Sequence, residues 1–303
     1  MRIDVIPAGG NYYRANLHCH TTVSDGKHTP EEIKEHYKKH GYAVVAYTDH
    51  RNMVDHSDLN DPAFLALTGY EMDFTEGPSD LPYKFRKTCH VNLISPEPHA
   101  AHREDPAGYS PKLVNDYIKW GHEQGFLVHY NHPEWSCEDQ NDYDLYEGFD
   151  AMEIYNHGCY VGGWHEENAI VYERMLKKHG RLFTLATDDN HGDHDMCGGY
   201  VMIKAPELSY GAIFNALKEG HYYASWGASL DEAFIEDGIF HVTAPAAREI
   251  AFTTGIRHAH RVIAPEGGNL THAEFQIDPA DVFVKAEVVD HAGRRAYTNA
   301  WFL

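Results

Sequence analysis

Two histidines one residue apart, in Asn16-Leu17-His18-Cys19-His20, are the first sign of chemistry in this sequence of 303 residues. If the segment is a short strand, residues i and i+2 share a face. Two neutral imidazoles side by side then make half a site for a first-row transition metal. Ligand-type residues recur beside later apolar runs. Residues 43–47 lead into Thr48-Asp49-His50, and residues 65–67 into Gly69-Tyr70-Glu71. Cys89-His90 precedes the run at 91–94, which puts that histidine at the opposite end of its strand or beside it. Residues 126–128 lead to His129 and His132-Pro133, residues 152–155 to Asn156-His157, and residues 183–186 to Asp188-Asp189-Asn190-His191. A carboxylate can bridge two cations and leave a water between them, and metal binding lowers that water's pKa towards about 7. Clustered imidazoles and carboxylates therefore point to hydrolysis at neutral pH.

Such residues must be positioned by strands that end at one rim, which is the arrangement of a βα barrel. Helices expected over residues 30–40, 111–123 and 166–179 fall between the strands, and that alternation implies a parallel sheet. Thr29-Pro30-Glu31-Glu32 reads as a capped helix start. A last amphipathic helix places Ile213, Ala216 and Leu217 on one face and stops near Gly220. Beyond it the pattern changes. Asp237-Gly238 is a hairpin signal, Val282, Val284, Ala286 and Val288 alternate with polar neighbours, and residues 290–293 form another turn. The expected fold is α/β: a distorted seven-stranded TIM-like barrel over residues 1–227, then a small antiparallel, sandwich-like β domain over 228–303.

His18-Cys19-His20, Ser24-Asp25-Gly26, Thr48-Asp49-His50, Glu71, His90, His132-Pro133 and Asp189-Asn190-His191, in that order, resemble the motifs of the polymerase and histidinol phosphatase (PHP) family of metal-dependent phosphoesterases. The resemblance covers about residues 14 to 225. It implies the distorted barrel and two or three divalent ions, manganese, iron or zinc, at its mouth. Carried over residue by residue, His18, His20, Glu71 and Asp189 would hold the first ion. Glu71 would bridge to a second, completed by His90 and His132, and Asp25, His50 and His191 would hold a third. Some relatives have histidine where this chain has Asp25. Asp189 is preferred over Asp188 because the family spacing is aspartate, any residue, histidine. Glu71, Asp189 and His191 are the expected catalytic residues, with His191 or a metal-bound water expected to protonate or stabilise the leaving oxygen. Three carboxylates against three divalent ions would leave the site near +3, which favours an anionic substrate.

That local charge matters because the chain carries 25 Lys and Arg against 46 Asp and Glu, a net −21. Such a field repels polyanions. With no basic stripe present, extended nucleic acid is not an expected partner, and a small phosphorylated molecule or a nucleotide is. Arg51, Asn156 and His157 are candidates for substrate contact. Arg86, Lys87 and Arg103 are weaker phosphate clamps, since charged loop residues are usually just solvated. Six of the 24 histidines are assigned as ligands. His129 reads as a core residue supporting the ligands, His194 as a solvated loop residue, and His36, His40, His56 and His122 as exposed. The five cysteines lack a C-x-x-C spacing and read as reduced thiols in a cytoplasmic setting, with Cys19 and Cys89 as small packing residues. Residues 1–11 have no apolar core for a signal peptide, although a leader already removed would leave no trace. No apolar run is long enough to span a membrane. Oligomeric state is not legible. Two other functions fit the same residues: hydrolysis of a carboxylic ester, lactone or amide, and a non-catalytic, metal-stabilised binding domain.

Overall fold

The computed structural model describes residues 2–77, 82–99, 106–165 and 167–303. The first half of the chain carries β1 (Arg2–Asp4), β2 (Asn11–Asn16), α1 (Pro30–Lys39), β3 (Val44–Tyr47), β4 (Leu65–Thr75), β5 (Thr88–Ile94), α2 (Pro111–Glu123), β6 (Leu127–Tyr130) and α3 (Gln140–Tyr143). Next come β7 (Ala151–Asn156), α4 (His157–Val161), α5 (Ala169–His179), β8 (Phe183–Thr187), β9 (Tyr200–Ala205), α6 (Tyr210–Glu219) and β10 (Tyr222–Ser225). The remainder is all strand: β11 (Glu232–Glu236), β12 (Ile239–Ala247), β13 (Glu249–Thr254), β14 (Ala259–Ile263), β15 (Leu270–Gln276), β16 (Phe283–Val289), β17 (Arg295–Thr298) and β18 (Trp301–Phe302).

Local chemistry sets the helix ends. Thr29 Oγ1 accepts from the Glu32 amide, and Glu32 Oε2 accepts from the Thr29 amide at 2.9 Å, a reciprocal cap with Pro30 at the first helical position. Ile33 and Tyr37, four apart, are the residues that α1 buries. Ser110 caps α2. Helix α5 begins at Ala169 rather than at 166, and residue 166 itself lies outside the described residues. Helix α6 ends at Gly220, which has φ +74°, and a Cβ there would meet the Phe183 ring at 2.4 Å.

The larger sheet runs β14-β13-β16-β17-β10-β9-β2-β3-β4-β5-β6-β7-β8. Its β2–β3, β3–β4, β6–β7 and β7–β8 pairs are parallel, but β5 is antiparallel to both β4 and β6. The all-parallel expectation is thus corrected at β5, and again at β9, which is antiparallel to both β2 and β10. No crossover helix separates β4 from β5 among the described residues, and antiparallel neighbours need none. Strand pairing follows an open path that ends at β14 and β8. At the mouth the segment after β8 meets the segment after β2: Asp189 N–H donates to His18 O at 3.0 Å and His20 N–H to Asn190 O at 3.2 Å.

A second correction concerns the histidine pair. Strand β2 ends at Asn16, so His18 and His20 sit just beyond it, held by the Cys19–Asn190 bridge. The Asn16 side chain takes the place of a strand neighbour, with Nδ2 donating to His18 O at 2.9 Å and Oδ1 accepting from the Asp188 amide at 3.0 Å.

The C-terminal strands are antiparallel, as the alternation predicts. Asp237 and Gly238 have φ of +50° and +80° and join β11 to β12, the signature of a two-residue hairpin turn. A four-stranded sheet β1-β11-β12-β15 packs on β13 and β16 across a core that includes Phe240, Phe252, Phe275, Val284 and Val288. The large sheet crosses residue 227 without a break through the β10–β17 pair, and β1 joins the C-terminal sheet through β11. Among the described residues, no helix is long and apolar enough to cross a membrane.

Phe252 is fully buried and makes edge contact with Phe240 and stacks on Phe275. Phe252→Ala should cost about 3–5 kcal/mol. Urea unfolding monitored by Trp fluorescence checks this, with an unchanged midpoint counting against the packing described.

Candidate metal centre

The parallel strands bring their C-terminal ends to one mouth, and the reversed β5 brings its N-terminal end there. His90 pairs with Asp73 near the end of long β4, which is why this ligand-type residue precedes its apolar run. Around the mouth, the structure gathers all nine residues that the motifs single out as ligands.

Glu71 lies at the centre and is 1% exposed. Its Oε1 lies 3.3 Å from His18 Nε2, 3.0 Å from His90 Nδ1 and 3.3 Å from His132 Nε2, and it accepts from Asn131 Nδ2 at 2.7 Å. Its Oε2 faces His20 Nε2 at 3.4 Å and His50 Nδ1 at 3.0 Å. Each oxygen thus meets a different set of imidazoles, the arrangement a bridging carboxylate needs. Asp189 Oδ1 lies 3.2 Å from His18 Nε2 and 3.1 Å from His20 Nε2, with Oδ2 3.7 Å from His132 Nε2. Asp25 stands at the rim, 3.4 Å from His191 Nε2 and 3.7 Å from both His20 Nδ1 and His50 Nε2. The sets therefore run together. His20 and His50 each touch two of them.

Asp188 points away from the mouth. It accepts backbone N–H groups from Cys197, Gly198 and Gly199 and the Tyr37 hydroxyl. Burial raises its pKa to about 6 against the pull of those donors.

The donor chemistry suits divalent ions. His18 Nε2 and His20 Nε2 are only 3.1 Å apart, and His20 Nδ1 is buried without a hydrogen-bond partner. Converging imidazole lone pairs and carboxylates are accommodated by a shared cation. Without one, the carboxylates are balanced by protons on the histidines. Burial opposes a charged His132, but the Glu71 hydrogen bond and the field of Asp189 outweigh it and raise its pKa to about 9. His191 reaches about 9 in the same way, with burial overcome by Asp25 and Asp189. Burial also opposes ionisation of Glu71, yet the surrounding histidines hold it well below the usual carboxylate range.

The three proposed substrate contacts are placed differently from one another. Arg51 is committed to a bidentate pair with Asp73, at 2.8 and 2.9 Å. Asn156 is buried; it donates to Glu153 and to Asp189 Oδ2, and its Oδ1 caps α4. It supports Asp189 and does not face the cavity. His157 bonds the Tyr155 hydroxyl at 2.8 Å and lines a separate cleft with Arg14, Tyr160 and Trp226, because α4 turns it away from the mouth. Lys87 pairs with Asp142, Arg86 donates to Glu76 O, and Arg103 lies outside the described residues. His129 is buried, and burial lowers its pKa to about 3. Cys19 and Cys89 pack in the core. His40, His122 and His194 are exposed, but His36 and His56 are half-buried.

Sequence reasoning missed Glu153. It is fully buried, 2.7 Å from His18 Nδ1, and it accepts from Thr187 Oγ1 and the His132 amide. A carboxylate on the far nitrogen fixes the tautomer that leaves Nε2 free to bind metal. A charged residue inside the apolar run Met152-Glu153-Ile154 is the signal that could have found it. Asp49 was also missed as a brace, although it adjoins His50. It accepts from the Thr21 and Ser24 amides and hydroxyls, shaping the loop that delivers Asp25. The open cavity at the mouth has a volume of about 490 Å³, with Tyr83, Trp135 and Trp164 among its walls.

The structure is an α/β scaffold with one long mixed sheet and a carboxylate-imidazole mouth whose residues could hold metal ions. The fold is shared with a two-domain protein from Bacteroides vulgatus described as containing a predicted PHP-like metal-dependent phosphoesterase. That protein is 15% identical, with 97% of each chain covered and a TM-score of 0.52. The resemblance read from the ordered motifs thus holds for the fold of the whole chain. Similarity also extends to a putative metal-dependent phosphoesterase from Bifidobacterium adolescentis (15% identity, 62% of this chain and 89% of that one, TM-score 0.44) and an amidohydrolase from Chromobacterium violaceum (14%, 61% and 90%, TM-score 0.43). No family model and no curated protein matches the sequence.

Two outcomes are expected. Below about pH 9, uptake of metal by the stripped protein should release protons from His132 and His191, and affinity should fall roughly tenfold per pH unit for each proton displaced. Calorimetry in buffers of different ionisation enthalpy measures this, and proton release that does not diminish above pH 9 would count against it. Glu153→Gln should weaken metal binding by about 10–100-fold through loss of His18 orientation, read by competition with a chelator.

Proposed function

We propose that this chain is a metal-dependent phosphoesterase that hydrolyses a phosphate ester on a small molecule or nucleotide. The observation that carries the reading is Glu71, a buried carboxylate with both oxygens turned to different imidazoles at the floor of one cavity. His18, His20, Glu71 and Asp189 would hold one divalent ion, Glu71, His90 and His132 a second, and Asp25, His50 and His191 a third; manganese, iron and zinc all suit such ligands. When bound, these ions supply Lewis acidity and a water of lowered pKa. The protein's own part is positioning. Glu153 holds the proton on His18 Nδ1 and keeps Nε2 inward. His191 donates from Nδ1 to the Asp189 carbonyl at 3.0 Å, which leaves the Nε2 lone pair turned towards Asp25 at the rim, where it would hold the third ion. Trp135 packs against His90 and His132 and excludes water from that side. A cavity of this size admits a small molecule.

The same reading includes a seven-stranded barrel from β2 to β8, supported by the two backbone bonds between residues 18–20 and 189–190. It also includes a domain boundary after residue 227, supported by a second core cluster drawn mostly from residues beyond 227, and a cytoplasmic setting. A second reading, hydrolysis of a carboxylic ester, lactone or amide, is favoured by one observation: among the described residues, no Lys or Arg lines the cavity. A neutral carbonyl substrate would need no such clamp.

Elemental mass spectrometry is expected to find two or three ions per chain. Phosphate release from generic mono- or diesters should be lost on chelation and inhibited competitively by inorganic phosphate. Glu71→Gln should lower both metal content and turnover by at least about a hundredfold. Normal turnover in that variant would overturn the assignment. Loaded protein that cleaves carboxylic esters or lactones instead would establish the second reading, and loaded protein inert to both would be a binding domain.

A further inference from the structure

We propose that His36, His40 and Cys197 form a second metal site, separate from the Glu71 cluster and selective for zinc or a similarly thiophilic cation. One ring nitrogen from each histidine and the Cys197 sulfur all lie within 4.8 Å of one another. A tetrahedral ion with bonds of about 2.0 Å to nitrogen and 2.3 Å to sulfur separates its ligand atoms by roughly 3.3–3.6 Å. Closing the site requires movements of about an ångström, which half-exposed side chains make by small rotations.

Three features suit these residues to the task. His36 and His40 are four apart on the last turns of α1 and so share one face, with their rings 4.6 Å apart and stacked. His40 Nδ1 lies 2.8 Å from the His36 carbonyl oxygen. Donation there fixes the proton on Nδ1 and leaves the lone pair on Nε2, the outer-sphere contact that metal-bound histidines commonly make. Burial and the neighbouring His40 lower the pKa of His36, which keeps that imidazole neutral and able to bind.

Cys197 is brought to the helix by the segment that follows the catalytic mouth. Its amide donates to Asp188 Oδ2 at 2.6 Å, and its backbone is held at φ +66°. Burial and Asp188 push the thiol up to about 12 against the pull of Arg14. It therefore stays protonated alone and binds as thiolate when a cation displaces the proton. Two imidazoles and a thiolate are softer than the nitrogen and oxygen donors around Glu71, so the two sites should sort metals differently. The consequence is mechanical. Asp189, His191 and Cys197 lie on one stretch of chain, and an ion joining Cys197 to α1 would tie down the segment that presents His191.

Cobalt distinguishes this site from the Glu71 cluster, because thiolate ligation adds a near-ultraviolet charge-transfer band that nitrogen and oxygen ligands do not give. The full chain, stripped with chelator and titrated anaerobically with Co²⁺, should develop that band and lose it on addition of Zn²⁺. Cys197→Ser should abolish it. Cys159→Ser should leave it intact, a needed control because Cys159 Sγ lies 3.9 Å from Asp189 Oδ2. His40→Ala, at an exposed helix end, should weaken cobalt binding about 10–100-fold with an unchanged circular dichroism spectrum. A titration without the band, a band that survives Cys197→Ser, or a band lost in Cys159→Ser would overturn the proposal.

Discussion

The structure depends on the cost of placing an ionised carboxylate where water cannot reach it. Glu71 sits in strand β4 with apolar neighbours on either side, and a buried charge is tolerated only when it is paired. Five imidazoles surround it, contributed by the segment after β2, the turn after β3, strand β5 and the turn after β6. None of these segments can shift alone without leaving part of that charge uncompensated. The supporting polar residues follow from the same constraint: Glu153 exists to orient His18, and Asn131 and Asn156 to satisfy carboxylate oxygens.

The reversal of β5 is the architectural answer to a geometric problem. An all-parallel sheet presents only C-terminal strand ends at the mouth. With β5 antiparallel, the start of that strand delivers His90 beside the end of β4, 3.0 Å from Glu71. The sheet departs there from the alternating pattern, and the sequence records it as a ligand-type residue before its apolar run.

This explains what could be read from the sequence. The residues gathered at the mouth were legible because most of them adjoin an apolar run, and periodicity marks such runs well; Asp25, in a polar loop, was legible only through the motif order. The helix over 111–123 and the Asp237-Gly238 turn were legible because capping and turn residues act locally. What failed were statements about direction. Arg51, Asn156 and His157 all lie near the right strand ends, but where a side chain points is decided by partners far away in sequence: Asp73 for Arg51, Glu153 and Asp189 for Asn156, and the start of α4 for His157. Glu153 was overlooked for the converse reason, since its closest partners, His18 and Thr187, lie 135 and 34 positions away in the chain.

Exposure grades across the site, and that gradient separates two tasks. His18, His20, Glu71, His90 and His132 are nearly inaccessible, whereas the side chains of His50, His191 and Asp25 are 28%, 37% and 55% exposed. Charge at the floor is screened little by solvent and ions, so the inner side chains act on one another at full strength. At the rim, water competes for every contact, which weakens each of them. Rim residues on loops therefore need support from outside the cluster. Asp49 gives it to the Asp25 loop, and Asp195 gives it to His191 by accepting its amide at 2.9 Å. The acidic residues nearest the mouth thus divide between those turned to the imidazoles, Glu71 and Asp189, and those that hold loops, Asp49 and Asp195, and only geometry tells them apart.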